Sequence, residues 1–181
     1  MTSPEQTSSR QRALVFVGPM GAGKTSIGKR VARRLGRPFV DTDKAIAAEH
    51  GPIPAIFEQR GEAGFRAVER AAVLSALTEG GVIALGGGAV LDAVTRAELS
   101  RHDVVLLTVD ARTVRGRLRG GRGRPLLGAE DPVRRWERIA AERMPLYEEV
   151  ADAVFDTSRG PLLDVVDAVV TWTDGRERGT A

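Results

Sequence analysis

The segment from Ala13 to Leu35 constrains the fold of this chain more than any other. An apolar run, 13–17, leads into Gly-Pro-Met-Gly-Ala-Gly-Lys-Thr at 18–25, and apolar residues at helical spacing follow. A strand, a glycine-rich loop and a helix in this order are typical of a loop that binds phosphate through backbone N–H groups. In such a loop Lys24 would bind the β- and γ-phosphates, and the Thr25 hydroxyl would bind Mg²⁺.

Further apolar runs are separated by segments of helical period. The predicted strands are 13–17, 38–40, 82–85, 104–109 and 153–155. Runs without polar alternation are typical of strands that are covered on both faces in a parallel sheet. The first predicted helix follows the glycine-rich loop and ends at Leu35. The others cover 44–50, 53–60, 62–79, 92–101, 111–118, 132–150 with an interruption at Pro145, and 161–172. This alternation predicts an α/β fold with helices on both faces of the sheet.

Length and composition indicate one globular domain. We expect a flexible tail over 1–12, a single domain over 13–172 and a second flexible tail over 173–181 of the 181 residues. The absence of cysteine excludes disulfides, thiolate zinc sites and cysteine nucleophiles. No apolar run approaches the roughly 20 residues that span a bilayer. A secretory leader is not indicated either, so the expected location is the cytoplasm.

Four predicted strands are each followed directly by a residue that suits a binding site: Gly18, Asp41, Gly86 and Asp110. In open α/β sheets, ligands bind beyond the carboxyl ends of the strands, so these four positions should border one crevice. The three glycines of 86–88 leave an arc without side chains, where a ligand could contact the backbone.

Asp41 and Asp43 allow two interpretations, between which their spacing does not decide. In extended backbone they would share a face, where one could hold a Mg²⁺-bound water and the other accept a substrate hydroxyl. Alternatively, they cap the helix that follows. Asp110 could also serve the metal, but a cap for the helix near Ala111 is favoured there.

A basic stretch over 111–129 contains six arginines and no acid. It predicts a lid over about 112–128 that closes over ATP, with Arg124 contacting the γ-phosphate. A solvated basic loop and an RNA-binding surface are the alternatives. The net charge is only +3, and acidic residues are interspersed along most of the chain. An anion-binding enzyme that binds no nucleic acid is therefore the preferred interpretation.

Several of these segments together resemble the shikimate kinase family. The segments are Gly18–Thr25, Phe39–Asp43, Ile56-Phe57, Gly61-Glu62, Phe65-Arg66, Gly86–Ala89, Arg124–Leu127 and Arg143–Tyr147, in the family's order and at similar separations. The resemblance covers roughly 13–172. It implies a three-layer P-loop kinase fold with a five-stranded parallel sheet of order 2-3-1-4-5 and a mobile lid. It also implies a monomer that transfers the γ-phosphate of ATP to the 3-hydroxyl of shikimate, with Mg²⁺.

The resemblance also implies roles for individual residues, including Arg66 and Arg143, whose sequence context alone assigns them none. Catalysis would use Lys24, Asp43 and Arg124. ATP would be bound by Gly21, Ala22, Gly23, Lys24, Thr25, Ser26, Arg124 and Arg159. Shikimate would be bound by Asp43, Phe57, Phe65, Arg66, Gly86, Gly87, Gly88 and Arg143. Mg²⁺ would be bound by Thr25 and, through water, by Asp41. No adenine-stacking arginine is assigned within 115–122.

Two other functions stay open at this point. Another small-molecule kinase of the same architecture, such as a gluconate or nucleoside monophosphate kinase, would share the phosphate loop. It would lack the combination of Asp41 and Asp43, the three glycines and Arg143. A nucleotide-binding regulatory or RNA-associated module would instead use 111–129 as a basic surface. Such a module would bind RNA in a salt-sensitive way that survives Lys24→Ala.

Overall fold

Strands and helices alternate through the part of the chain that the structure describes. The computed structural model covers residues 12–120 and 131–179. The strands are β1 Leu14–Val17, β2 Phe39–Asp41, β3 Val82–Ala84, β4 Asp103–Thr108 and β5 Ala153–Asp156. The helices are α1 Lys24–Leu35, α2 Thr42–His50, α3 Ile53–Glu79, α4 Ala93–Leu99, α5 Ala111–Gly120, α6 Pro132–Val150 and α7 Leu162–Gly179, with a 3-10 helix at Ala89–Leu91.

The five strands form one parallel sheet in the order β2-β3-β1-β4-β5. The central strand β1 is buried along its whole length, and its Phe16 pairs with Ala84 on one side and Val105 on the other. The predicted strand order is confirmed. Because all strands are parallel, their carboxyl ends and the loops that follow lie at the same edge of the sheet.

Helices cover both faces of the sheet, which confirms the predicted three-layer arrangement. On one face, alternate strand residues such as Val15 and Leu106 pack against α3, α4 and α6. On the other face, Phe16 and Leu107 pack against α1 and α7. Alternation of side chains along each strand gives each face its own apolar cluster. Within the described residues, no helix is long and apolar enough to cross a membrane.

Helix α3 changes direction at Gly61. That residue has φ 67° and ψ −178°, a backbone conformation that residues with a Cβ rarely adopt. The sequence predicted two helices separated at this glycine, and the change of direction confirms the separation. Both parts of α3 pack with α2 around a small cluster of Ile46, Ile56 and Phe65, which we call the arm cluster.

The predicted tail over 173–181 is wrong for its first seven residues, because α7 continues to Gly179. Thr173 is buried, and the Arg176 guanidinium donates to Asp103 at 2.8 Å and to Asp152 at 3.3 Å. Glu177 forms an ion pair with Arg37. The end of α7 therefore contacts Asp103 in β4, Asp152 before β5 and Arg37 before β2. These contacts hold a polar segment that carries few apolar residues. Its composition alone therefore suggested a loose end.

Two further predictions concern segments that the structure describes only in part. Of the predicted tail over 1–12, only Arg12 is described, and it donates to the carbonyls of Arg101 and His102. Of the predicted lid over 112–128, residues 112–120 belong to α5. The rest of the lid, with Arg124, lies outside the described residues. The interruption predicted at Pro145 is wrong, because α6 continues through it with buried residues on both sides.

Candidate active site

A cavity of about 630 Å³ lies at the carboxyl edge of the sheet. It is bordered by the loop after β1, the start of α2, the glycines after β3, and one face of α6. The predicted site residues that line it are Gly21, Gly23, Lys24, Thr25, Ser26, Asp41, Asp43, Gly87, Gly88 and Arg143. Of the four strand-end positions expected to border one crevice, Asp41 lines this cavity, whereas Gly18, Gly86 and Asp110 do not.

The loop after β1 is shaped by glycines and closed by Lys24. A Cβ on Gly18 would collide with the carbonyl oxygen of Leu107, and Gly18 has φ 133°, so only glycine fits there. The Lys24 ammonium donates to the carbonyls of Gly18 at 2.7 Å and Pro19 at 3.0 Å. The loop thus satisfies its own lysine, and a bound phosphate would compete for the same ammonium.

Burial lowers the pKa of Lys24 from 10.5 to about 8. Removing an ammonium group from water disfavours its charged form, and the nearby carboxylates of Asp43 and Asp41 offset only part of this effect. An anionic ligand beside Lys24 would restore the charged form. The buried Lys24 ammonium therefore favours the binding of a phosphate at this point of the cavity.

Asp41 makes two side-chain contacts, one of which is the helix cap that the sequence offered as one interpretation. Its Oδ1 accepts from the Lys44 backbone N–H at 3.2 Å and so caps α2. Its Oδ2 accepts from the Thr25 hydroxyl at 2.6 Å. The two oxygens serve different purposes, so capping and a place beside Thr25 do not exclude each other.

Asp43 lies in the first turn of α2 and faces Gly86. A Cβ on Gly86 would collide with Asp43 Oδ1, so the glycine lets the carboxylate lie against the backbone. The pKa of Asp43 is raised, first by burial and then by Asp41, although Lys24 and Arg66 oppose the shift. A carboxylate with a raised pKa inside a cavity is suited to accept a proton.

Asp110 has the capping role that was favoured for it. Its Oδ1 accepts from the Thr113 backbone N–H at 2.7 Å, and this hydrogen bond lowers its pKa. The side chain is exposed and does not border the cavity. The Asp110 N–H donates to the Ser158 hydroxyl, which ties the end of β4 to the loop after β5.

Arg66 is oriented by a buried glutamate. Its guanidinium donates to Glu69, which is only 3% exposed, and lies against Gly88, where a Cβ would collide with Nη1. Phe65 stacks on Phe57 with 4.4 Å between ring centroids, and the Arg66 guanidinium lies 5.3 Å from the Phe65 ring centre. Arg66 therefore contacts Gly88, which lines the cavity, whereas Arg66, Phe57 and Phe65 do not line it themselves.

Arg143 approaches the same glycines from α6. Its Nη1 donates to the Gly87 carbonyl at 3.1 Å, and the Tyr147 hydroxyl donates to the same oxygen. Burial raises the pKa of Tyr147, so the phenol keeps its proton and stays a donor. Arg66 and Arg143 thus hold two guanidinium groups at consecutive glycines of one turn.

Arg117 connects the phosphate loop to the loop after β5. It donates to the Gly21 carbonyl, and to the Thr157 carbonyl at 2.8 Å, and its side chain lines the cavity. Arg159 is exposed and does not border the cavity in this structure, although Leu162 nearby does. The predicted contact of Arg159 with adenine stays a prediction.

Sequence reasoning missed four residues of this region: Glu69, Arg117, Trp136 and Tyr147. Glu69 follows Arg66 by three positions, and Tyr147 follows Arg143 by four, so each pair shares a helix face. That spacing was a usable signal. Arg117 had none, because it is one of six arginines in its segment and only the fold selects it.

Comparison with known proteins agrees with this geometry. The family model described as shikimate kinase matches residues 20–174. A shikimate kinase of Streptomyces avermitilis is 48% identical over 167 residues, covering 91% of this chain and 96% of the relative. The corresponding enzyme of Halorhodospira halophila is 44% identical, covering 90% and 94%.

A solved structure gives the same result. The shikimate kinase from Acinetobacter baumannii in complex with shikimate superposes with a TM-score of 0.79 at 36% identity, covering 91% of this chain and 94% of that one. A gluconokinase from Sinorhizobium meliloti reaches 0.57 at 18% identity, which shows a shared fold alone. The family model and these relatives show that the chain belongs to the shikimate kinase family.

Proposed function

We propose that this chain transfers the γ-phosphate of ATP to the 3-hydroxyl of shikimate, giving shikimate 3-phosphate and ADP. The observation that carries this proposal is the shared cavity of Lys24, Asp43 and Arg143. An anion-binding loop, a carboxylate with a raised pKa and a guanidinium group lie around one space. An acceptor that has both a hydroxyl and a carboxylate would use all three.

The acceptor half of the site would bind shikimate through arginine side chains and through the backbone of the glycine turn at 86–88. Arg66 and Arg143 would bind its carboxylate, since planar guanidinium groups bind carboxylates bidentately. Gly86, Gly87 and Gly88 would let the ring approach the backbone, and Phe57 and Phe65 would form the apolar wall. Asp43 would accept a hydrogen bond from the attacking hydroxyl and take its proton.

The nucleotide half would bind phosphate through the N–H groups of 21–26 and the Lys24 ammonium. Lys24 would leave the carbonyls of Gly18 and Pro19 and turn to the β- and γ-phosphates. Arg124 would add charge at the transferring group, and Arg159 would border the adenine. Catalysis would then come from alignment of the hydroxyl with the phosphate and from charge neutralisation, as is general for phosphoryl transfer.

The residues around Thr25 fit a Mg²⁺ ion that arrives with the nucleotide. The Thr25 hydroxyl and Asp41 Oδ2 are 2.6 Å apart and both offer oxygen, the ligand type that Mg²⁺ prefers. The described residues contain no cluster of three or more acids or histidines that could hold a metal alone. Mg²⁺ typically keeps water and substrate oxygens as most of its ligands, and it would neutralise phosphate charge.

For the remaining properties we propose a monomer in the cytoplasm whose partners are its two substrates, with no nucleic acid or membrane among them. The low net charge and the interspersed acids support the absence of a nucleic-acid surface.

The proposed acceptor is tested by ADP release with ATP and Mg²⁺ across shikimate, gluconate and nucleoside monophosphates. Turnover with shikimate alone is the expected result, because only shikimate supplies a carboxylate for Arg66 and Arg143 beside a ring hydroxyl. A Lys24→Met variant purified in the same way should lose this turnover, which excludes a contaminating kinase. Higher kcat/KM with gluconate than with shikimate would overturn the proposal.

Binding of ADP without divalent cation is expected to weaken as the pH rises above 8. The lowered pKa of about 8 means that free Lys24 loses its proton there, whereas Lys24 beside phosphate keeps it. Binding must then take up about one proton, and the dissociation constant should rise up to about tenfold per pH unit. Calorimetry at pH 7, 8 and 9 in buffers of different ionisation enthalpy measures both quantities.

The matched control for this experiment is Lys24→Arg, because a guanidinium group stays protonated throughout this pH range. Any ADP binding that the variant retains should occur without the extra proton uptake at pH 9. Equal proton uptake by the variant and the wild type would assign the effect to another group.

A further inference from the structure

One face of helix α6 is hydrogen-bonded to both halves of the site. The Trp136 indole N–H donates to the Met20 carbonyl in the phosphate loop at 2.8 Å. Seven residues later Arg143 donates to the Gly87 carbonyl, and four residues after that Tyr147 donates to the same oxygen. Spacings of seven and four put all three side chains on one face of a helix.

The two loops that α6 holds also contact each other. A methyl group built on Gly87 would lie 3.6 Å from the Tyr147 hydroxyl, 3.7 Å from the Gly18 carbonyl oxygen and 3.8 Å from the Met20 nitrogen. The phosphate loop, the glycine turn and α6 therefore meet at one point. A shift in the phosphate loop can reach α6 here through the hydrogen bond from Trp136 to Met20.

The phosphate loop has a reason to shift when nucleotide binds. In this structure Lys24 bonds the carbonyls of Gly18 and Pro19. A phosphate that attracts the ammonium would release these carbonyls, which precede Met20 directly in the chain. Trp136, only 9% exposed and packed with Val114 and Ala140, would then be the side chain that still holds Met20 to α6.

We propose that Trp136 is a positioning residue that couples the nucleotide site to the acceptor site through α6. By holding the Met20 carbonyl, it makes the phosphate loop move together with the face of α6 that carries Arg143 and Tyr147. The ligand that binds first then shifts one loop together with α6, and the second ligand binds to a site that is already in the shifted arrangement. This inference rests on the proposed function, since it takes shikimate as the acceptor.

The coupling is measured as the ratio of shikimate dissociation constants without and with saturating MgADP. In the wild type, MgADP should tighten shikimate binding by about fivefold or more, within the usual range for coupled sites. Trp136→Phe keeps an aromatic ring and removes the N–H donor. This variant should bring the ratio close to one, while its affinity for shikimate alone changes by less than about twofold. Trp136→His, which keeps a ring N–H, should restore part of the coupling.

The chain contains two tryptophans, and the other one provides the control. Trp172 lies in α7 on the opposite face of the sheet, beside Arg176. Trp172→Phe should leave the coupling ratio unchanged. It also makes Trp136 the sole tryptophan, so its emission should shift when MgADP binds. This readout does not depend on whether Trp136→Phe folds.

Any of three results would overturn the inference. They are a wild-type ratio of one, an unchanged ratio in Trp136→Phe, and Trp136 emission in Trp172→Phe that does not change when MgADP binds. Turnover of shikimate by the wild type is measured separately. Failure of the proposed function would appear as absent turnover. Failure of the coupling alone would appear as normal turnover with an unchanged ratio in Trp136→Phe.

Discussion

Asp43→Asn is expected to lower kcat by roughly 10²- to 10⁴-fold, the range typical of a lost general base. Asparagine keeps the shape of the side chain and its place against Gly86, but it cannot take the proton of the attacking hydroxyl. The dissociation constants for ATP and shikimate should change much less than kcat, because an amide oxygen still accepts a hydrogen bond. Steady-state kinetics with calorimetry on the same preparation separate the two effects.

Asp92→Asn is the matched control for this substitution. Asp92 caps helix α4, with Oδ1 accepting from the Thr95 N–H at 2.9 Å, and asparagine can keep that contact. It does not border the cavity. The control should have normal kcat. If Asp43→Asn also keeps normal kcat, Asp43 is not the base and its raised pKa has no catalytic use.

Arg143→Ala is expected to weaken shikimate binding by roughly 10- to 100-fold, since a hydrogen bond to a charged group contributes about 1.5–3 kcal/mol. The dissociation constant for MgATP should change far less, because the Arg143 guanidinium lies at the glycine turn rather than in the phosphate loop. Calorimetric titration with each substrate measures this difference. Equal losses for both substrates would contradict the role of Arg143 in binding the acceptor carboxylate.

Arg66→Ala should act in the same direction but with an added loss of stability. Its removal leaves Glu69, at 3% exposure, without the guanidinium that it accepts from. Arg70→Ala is the control for both arginines, because Arg70 lies in α3 with Arg66 and pairs with Asp92 away from the cavity. It should change neither substrate affinity.

Local signals made the parallel sheet and the phosphate loop predictable, whereas the strand order was implied only by the resemblance to shikimate kinases. The run 13–17, the glycines after it and the spacing of apolar residues in α1 all indicate the same arrangement over a short distance. The parallel sheet then follows from alternation, because βαβ crossovers connect strands in a restricted way. The role of Asp41 was less predictable, since its two oxygens make two different contacts and sequence spacing treats them as one.

Contacts between distant segments were not predictable. Nothing near Arg117 in the sequence indicates that its guanidinium bonds the Gly21 and Thr157 carbonyls, because the partners lie 96 and 40 positions away. The same holds for Trp136, whose acceptor is 116 positions away. The end of α7 was missed for the same reason. Its helical state depends on Asp103 and Asp152 rather than on its own composition.

The arm cluster has a consequence for how the acceptor pocket stays in shape. Among the described residues it contains three buried side chains, against fourteen and twelve in the clusters on the two sheet faces. Opening of α2 and the first part of α3 therefore exposes little apolar surface and requires less free energy than opening of the sheet. Because Phe65 belongs to this cluster and adjoins Arg66, we expect a bound acceptor to add rigidity on that side, so that hydrogen exchange there slows once the acceptor is present.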